Sequence, residues 1–521
     1  MDMLAPQQRI ASAYFVLFGR YGDVSRYAQH RGVCRQWVYR EAGWLHDFLA
    51  HTQQQIRALE QRVQQLEQQQ AALHKRLAVA VELDEDTQAQ LAAVGQANGV
   101  SLPIVWELLE VLIAGKHLSV AALGRRSQAA GQKAGQLLPI LDALARQRVR
   151  DAAADELYVN DPVRMVVEQD SLCWISGRLG AAVDGQGWAE EFRQLPQLEQ
   201  LARDAGKGLQ KGVALVNAER QQQGQPVVVD QGDHFHALRA AGVGLRKVQR
   251  QAEKALAQAE QAQQELEERQ RQGEPRTQGA GKHAATAWRQ AEKAIDLWGH
   301  RERLWQQTKD ALRLVTPTGE LNTRAHAEAV LAQTLPQLPD PDFAKTKRQI
   351  QQPEMLNYLD HVQQQMDALP FPQGVKQAAV RQECLRRRPE ALRGEGPPAA
   401  TRRGVLLVCA VILGKAGAVG QQAVAAVRDI FRRAYRASSL VECINSAVRM
   451  HQCRHRKMTQ GLLDLKRLCW NCHTFRTGRR RQTTPYQRLG VPWPEGLRWW
   501  DVLKLTPEQL RHKLSTAKIP P

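Results

Sequence analysis

Apolar positions recur every three to four residues through most of this chain, the period of an amphipathic helix. Short β-branched and aromatic runs replace them only between about residues 155 and 230. Near the start, Val24–His30 predicts a short helix, Gly32 a turn, and Cys34–Glu41 a second helix. With Ala28 four residues before Gly32, and Val33 and Val38 apolar beyond it, residues 1–50 fit a helix-turn-helix as well as they fit a plain helical hairpin. In the first case Arg35, Gln36, Tyr39 and Arg40 would face phosphates and base edges. Ile56, Leu59, Val63, Leu66, Leu73 and Leu77 then occupy heptad a and d positions, with Gln70 the single polar a residue. That pattern predicts a coiled coil over 51–82 and self-association as a homodimer or higher oligomer; a hairpin folded within one chain is the alternative.

A second helical unit is expected over 100–150. Ser101 caps a helix through Ile113, Gly115 ends it, and Val120–Leu123 opens another pair presenting Arg125, Arg126, Gln128 and Lys133. The period then changes. Leu157–Val159, Val163–Val167 and Leu172–Ser176 read as consecutive antiparallel strands, with Asn160–Asp161–Pro162 as one turn. Leu198–Ala202 and Val227–Val229 supply two more strands, with a helix over Leu209–Arg220 between them, so 151–244 is an α+β or α/β unit. From Leu245 to Val315 two helical arms flank the breaker-rich stretch Gln272–Gly281. Pro336–Pro341 reads as a linker, Arg386–Arg403 as a basic, solvated one, and Val405–Leu413 as a buried helix or strand. The expected division is 245–400 helical, 401–495 a return to the mixed unit, and 496–521 a tail.

Composition narrows the partner. With 43% hydrophobic residues the chain has material for a sizeable core, and its formal charge of +19 favours a polyanion. No basic stretch leads into an apolar one after Met1, and the nine-residue run Val405–Leu413 is far shorter than the ~18 apolar residues of a membrane span. Eight cysteines without regular spacing fit a reduced compartment. The expectation is a cytoplasmic protein with no membrane partner.

Three carboxylates sit in segments of distinct type: Ala154-Asp155-Glu156 at the opening of the three-strand run, Arg203-Asp204-Ala205-Gly206 after a later strand, and Ser438-Ser439-Leu440-Val441-Glu442-Cys443-Ile444-Asn445-Ser446 opening a late helix. Asp233-His234-Phe235-His236 and Thr484-Pro485-Tyr486-Gln487-Arg488-Leu489-Gly490 accompany them. Taken in order, these segments resemble the catalytic segments of bacterial DDE transposases over roughly residues 150–495. The resemblance implies an RNase H-like mixed-sheet core with a large all-α insertion between the second Asp and the Glu. It further implies that Asp155, Asp204 and Glu442 hold two Mg²⁺ or Mn²⁺ ions, supported by Asp233 and His236. Double-stranded DNA, as element ends and target, would be cut by water and then joined through the exposed 3′-hydroxyl.

The residue types suit that chemistry, because hard divalent cations prefer oxygen ligands and phosphodiester attack profits from two of them. Each carboxylate also has a structural reading. Asp155 can end a loop, Asp204 can belong to a turn, and Ser439-x-x-Glu442 matches a capping box; Asp230 and Asp233 compete for the second metal position. Arg449, Arg454, Arg456 and Lys457, then Arg476, Arg479, Arg480 and Arg481, follow Glu442 and are expected on the DNA backbone. Trp288, Ile295, Trp298 and Trp305 form a heptad-spaced stripe, read as helix packing in preference to base stacking. Cys469-Trp-Asn-Cys472-His473 matches a haem attachment pattern, and its cysteine pair with Cys453 and His455 could instead bind zinc, but no zinc or haem is expected. A non-enzymatic DNA-binding regulator, built from the helix-turn-helix, the coiled coil and a basic tail, is the competing function.

Overall fold

The computed structural model describes residues 6–77, 83–113, 117–339, 342–394, 396–454 and 457–517. They form two compact units, Met1–Glu85 with Glu107–His117, and Asp86–Trp106 with Leu118–Pro521.

In the first unit α1 (Pro6–Phe18), α2 (Asp23–Arg31) and α3 (Arg35–Leu77) pack on one another. Gly22 and Gly32 bracket α2 with left-handed backbone (φ 89° and 64°), which a residue with a Cβ adopts only at a cost. Ala13, Ala28, Val38 and Ala42 close the small core, and Arg9 pairs with Glu41 at 3.0 Å. The expected break near residue 50 is absent: α3 is one helix of 43 residues, because nothing between Arg35 and Leu77 breaks it except Gly43. Ile56, Leu59, Val63 and Leu66 are each about half exposed or more on it. The side chains of Leu73 and Leu77 lie outside the described residues.

The helices α4 (Glu85–Ala97), α5 (Leu102–Leu112) and α6 (Val120–Arg146) follow. The expected helix pair after residue 120 is a single helix of 27 residues, capped by Ser119. It buries Leu123, Leu137, Leu138 and Leu141 and leaves Arg125, Arg126 and Gln128 exposed, with Lys133 half-buried.

A five-stranded mixed sheet forms the centre of the second unit: β1 (Asp151–Tyr158), β2 (Pro162–Glu168), β3 (Trp174–Leu179), β4 (Gln200–Arg203) and β5 (Val229–Gly232), in the order β3-β2-β1-β4-β5. The first three are antiparallel; β4 runs parallel to β1, and β5 parallel to β4. The crossovers carry α7 (Gly185–Arg193) and α8 (Lys207–Gln222), the usual way of joining parallel strands. Gly208 is required for that packing, since a Cβ there would lie 1.9 Å from the Val183 carbonyl oxygen. β1 begins four residues earlier than Asp155, so the aspartate lies inside the strand and not at its opening.

The chain between β5 and the late helix is a separate helical layer. It comprises α9 (His234–Arg271), α10 (Gln278–Ala311), α11 (Arg324–Thr334), α12 (Ala344–Ile350), α13 (Asn357–Asp367), α14 (Gln373–Arg387), α15 (Pro397–Lys415) and α16 (Gly417–Arg433). These share a core of their own that includes Trp305, Phe343, Tyr358 and Phe431. On α10 the packing face is Ala284, Ala291, Leu304 and Trp305, whereas Trp288 and Ile295 are exposed (36% and 38%), so the expected stripe is only partly a packing face.

Two further expectations fail here. The stretch Arg386–Arg403 is structured, not a solvated linker: α14 runs into it, Arg388 is buried on the Val315 carbonyl, and Pro397–Pro398 open α15. The run Val405–Leu413 is helical but mostly not buried, with Cys409 and Leu413 inward and Leu407, Val408 and Val411 exposed. α15 is also the one described helix long and apolar enough, by length and composition, to cross a membrane, although its inward edge packs on α14 and α16.

The chain returns to the sheet through α17 (Ser439–Arg454) and α18 (Gln460–Cys472), and ends in α19 (Pro485–Arg488), α20 (Trp499–Val502) and α21 (Pro507–Thr516). Thr484 caps α19 in a reciprocal box with Gln487, which accounts structurally for the Thr-Pro segment. The fold is therefore mainly helical, with one small mixed sheet, an α+β arrangement.

Candidate active site

Strand parity decides what Asp155 faces. Ala153, Leu157 and Ala202 lie on the sheet face covered by Val441, Ile444 and Val448 of α17, while Ala152, Ala154 and Leu201 point into the opposite core. Side chains alternate along a strand, so Asp155 belongs to the α17 face. The β1–β4 register pairs Ala154 with Arg203, and one step further sets Asp204 beside Asp155 across strands spaced ~4.8 Å apart. Asp204 shares the parity of Ala202 and so the same face.

Asp155 is buried and fixed at both oxygens. One accepts the Glu156 amide at 2.8 Å and the other the Asn445 side-chain amide at 2.7 Å. Asn445 is one helical turn beyond Glu442, so the contact that anchors α17 to β1 also turns Glu442 toward the aspartates. Burial and then the negative charge of Asp204, with Glu442 adding to both, push the Asp155 carboxyl up to about 6. Asp204 follows β4 at once and accepts the Gly206 amide at 2.9 Å. Glu442 receives Arg449 at 2.9 Å on one oxygen and lies 3.9 Å from His236 Nε2 through the other. No hydrogen bond from the Ser439 amide to Glu442, the mark of a capping box, occurs among the described residues.

Asp233 holds the arrangement from behind. It caps α9 by accepting the Phe235 amide at 2.7 Å, and it accepts the Ser438 amide at 3.2 Å and the Ser438 hydroxyl at 2.7 Å. His236 Nδ1 bonds Asp233 Oδ2, the oxygen that also takes the Ser438 hydroxyl. Burial pushes the Asp233 carboxyl up, but the hydrogen bonds from His236 and Ser438 outweigh it and leave it below the usual value. The bond to Asp233 raises the His236 imidazole, against burial, and the charges of Asp155 and Asp204 raise it further. Asp233 is therefore a clamp between α9 and α17. Asp230 is no member of the cluster either: buried Arg203 binds it at 2.6 Å and also reaches Glu354 at 3.5 Å.

Donor chemistry at the cluster is all hard oxygen, the kind Mg²⁺ and Mn²⁺ take. The buried Asn445 Oδ1 has no partner, and Asp155 is raised by burial first and by the like charges of Asp204 and Glu442 after it. As the side chains stand, no three His, Cys, Asp or Glu among the described residues close around a single ion. Glu442 would have to leave Arg449 to become a ligand.

The basic residues separate into two kinds. Arg35, Gln36, Tyr39 and Arg40 are exposed on the first turns of α3, Arg35 also touching the Ser25 hydroxyl at 3.2 Å. Lys457 is exposed, Arg449 is engaged with Glu442, the Arg454 side chain is not described, and Arg456, with His455, lies outside the described residues. Arg479 pairs with Asp170 at 2.9 Å, and Arg480 donates to the Asp170 and Gln169 carbonyls, so both are tied to the β2–β3 turn. That turn adjoins Asp151, at the far end of β1 and roughly 13 Å along the strand from Asp155. Arg481 is exposed in the same segment. This group does not rim the carboxylates. Cys469 and Cys472 are buried in the core around α18, and burial pushes the Cys469 thiol up to about 12.

Sequence reasoning missed Asn445, Ser438 and Arg203 as site residues. Their signal was a polar residue on the buried side of an amphipathic element, visible for Asn445 from its spacing to Ile444 and Val448. Comparison of the chain with family models, with curated proteins and with solved structures returned no match.

Proposed function

We propose that this chain is a DDE-type DNA transposase, cleaving DNA strands at the ends of a mobile element and joining them to target DNA in the cytoplasm. The observation that carries the reading is that Asp204, after the parallel neighbour strand, and Glu442, on the covering helix, both lie near enough to Asp155 on the same sheet face to raise its carboxyl. The mixed sheet in the order β3-β2-β1-β4-β5 supports reading it as an RNase H-like core, and the helical layer between β5 and α17 would be the insertion. Asp155, Asp204 and Glu442 would hold two Mg²⁺ or Mn²⁺ ions, which when bound activate the attacking oxygen and stabilise the leaving one. The chain's own part is positioning. Asn445 and the Glu156 amide orient Asp155, Gly206 orients Asp204, and Asp233 holds His236 beside Glu442. Arg449 holds Glu442 while the cluster lacks divalent charge, and its release would free a guanidinium for phosphate.

Duplexes carrying the DNA that flanks the gene, incubated with the protein and Mg²⁺, should be nicked at a fixed position and joined to a second duplex. Glu442→Gln should lower both by at least about 10³-fold, the scale seen when an element of transition-state stabilisation is removed. The second reading, a non-enzymatic DNA-binding regulator, is favoured by the Arg449–Glu442 pair, which neutralises the third carboxylate. It requires that wild-type protein bind these duplexes and leave them uncut.

A further inference from the structure

The helix that starts at the Asp233 clamp carries a row of cations that the carboxylate cluster does not use. On α9, His236, Arg239, Val243, Arg246, Arg250 and Lys254 follow one another at intervals of three or four residues, so all lie within an arc of roughly 100° on one helix face. His236 heads that face and looks toward Glu442 at 3.9 Å. From Arg239 onward every one of these residues is exposed. Arg239, Arg246, Arg250 and Lys254 take no ion-pair partner among the described residues, although Glu253, on the adjoining edge of the helix, is exposed and bonded to Gln249 at 2.9 Å. Lys247, at the border of the stripe, is taken by Asp342 at 2.8 Å. Acidic residues reach only the edges of this face, Glu253 beside Arg250 on one side and Glu265 on the other, three turns beyond Lys254, where the helix becomes Gln- and Glu-rich. A face that only needed solubility would mix its signs. This one is cationic beside the carboxylates and turns acidic away from them.

We infer that this face of α9 is a track for the backbone of double-stranded DNA, leading the duplex away from the carboxylate cluster. The inference rests on the proposed DNA-cleaving function and adds the surface that would carry its substrate. From Arg239 to Lys254 the helix advances about 22 Å, which faces roughly six or seven base-pair steps of duplex at ~3.4 Å each. The exposed Val243 methyls between the arginines touch no base edge in such an arrangement, so binding there is independent of sequence.

Fluorescence anisotropy of a 30-base-pair duplex between 50 and 300 mM salt, without divalent metal, tests this on the full chain. Each phosphate contact contributes about 0.9 to the slope of log affinity against log salt. Arg246→Gln/Arg250→Gln/Lys254→Gln should therefore make the slope shallower by about 2 to 3, with an unchanged circular dichroism melt. The control Lys282→Gln/Arg289→Gln/Lys293→Gln removes three exposed cations from α10 and should leave the slope near the wild-type value. An α9 variant with the wild-type slope, or a control that loses as much, overturns the track and leaves the catalytic reading standing. A wild-type protein without salt-dependent binding overturns both.

Discussion

Asp155 is the residue on which the most physical constraints meet. Its backbone belongs to a central strand, its side chain is buried, and its carboxyl, pushed up to about 6 by burial and by Asp204, is held ionised at neutral pH at a cost to the fold. Replacing Asp155 with Asn removes that cost. Asn445 can turn its amide so that the unpartnered Oδ1 accepts the new N–H, so no hydrogen bond is lost. Asp155→Asn should raise stability at pH 7 by an amount on the order of 1–3 kcal/mol while abolishing activity. The sign follows from the raised value: the gain is full above about pH 6 and fades as pH falls toward the ordinary carboxyl value of 3.8, where wild type is protonated in both states. Chemical denaturation of both proteins from pH 4 to 8 reads it directly, and a variant less stable than wild type at pH 7 would contradict it. Asp233 is the opposite case, a carboxylate whose partners more than offset its burial. Asp233→Ala should cost about 2–4 kcal/mol and loosen α17 from α9.

At the scale of elements, the strands and the late helix were readable because their signals are local: alternation, β-branched runs, and a carboxylate at a strand end or on a helix. What was misread depends on distant contacts or on the absence of a breaker. α3 passes through the expected boundary at residue 50 because Gly43 alone does not stop a helix of that length. Arg386–Arg403 looked like a linker from its prolines, yet Pro397 and Pro398 sit in the first turn of α15, where a missing N–H costs nothing. The two basic groups after Glu442 were both expected on DNA, whereas Asp170, close in space and far in sequence, claims Arg479 of the second. The α9 stripe escaped notice because its residues are scattered until the helix period is applied from His236. The exposed a and d residues of α3 remain to be covered. β-branched Ile56 and Val63 at a with Leu59 and Leu66 at d favour a parallel two-stranded coiled coil, in which Arg62 at g of one chain meets Glu67 at e of the other. Leu66→Lys should weaken dimerisation roughly a hundredfold or more, measured by sedimentation equilibrium. An unchanged oligomeric state would rule out α3 as the interface.

For the molecule as a whole, the charge of +19 is unevenly used. Many arginines are matched in internal pairs such as Arg203–Asp230 and Arg467–Asp142, so the surplus shows in unpaired cations such as those along α9. The separate carboxylate cluster supplies negative charge at one place on the sheet, and the proposed function requires divalent cations there to offset it. Metal-directed cleavage of the polypeptide tests that most directly. Fe²⁺ bound in place of Mg²⁺, given ascorbate and peroxide, generates hydroxyl radicals that cut the backbone within a few ångströms of the ion. Mass spectrometry of the fragments should show cuts near residues 155, 204 and 442 together, suppressed by excess Mg²⁺ and lost in Glu442→Gln. Cuts at only one of the three segments, or none that Mg²⁺ suppresses, would contradict a shared metal site.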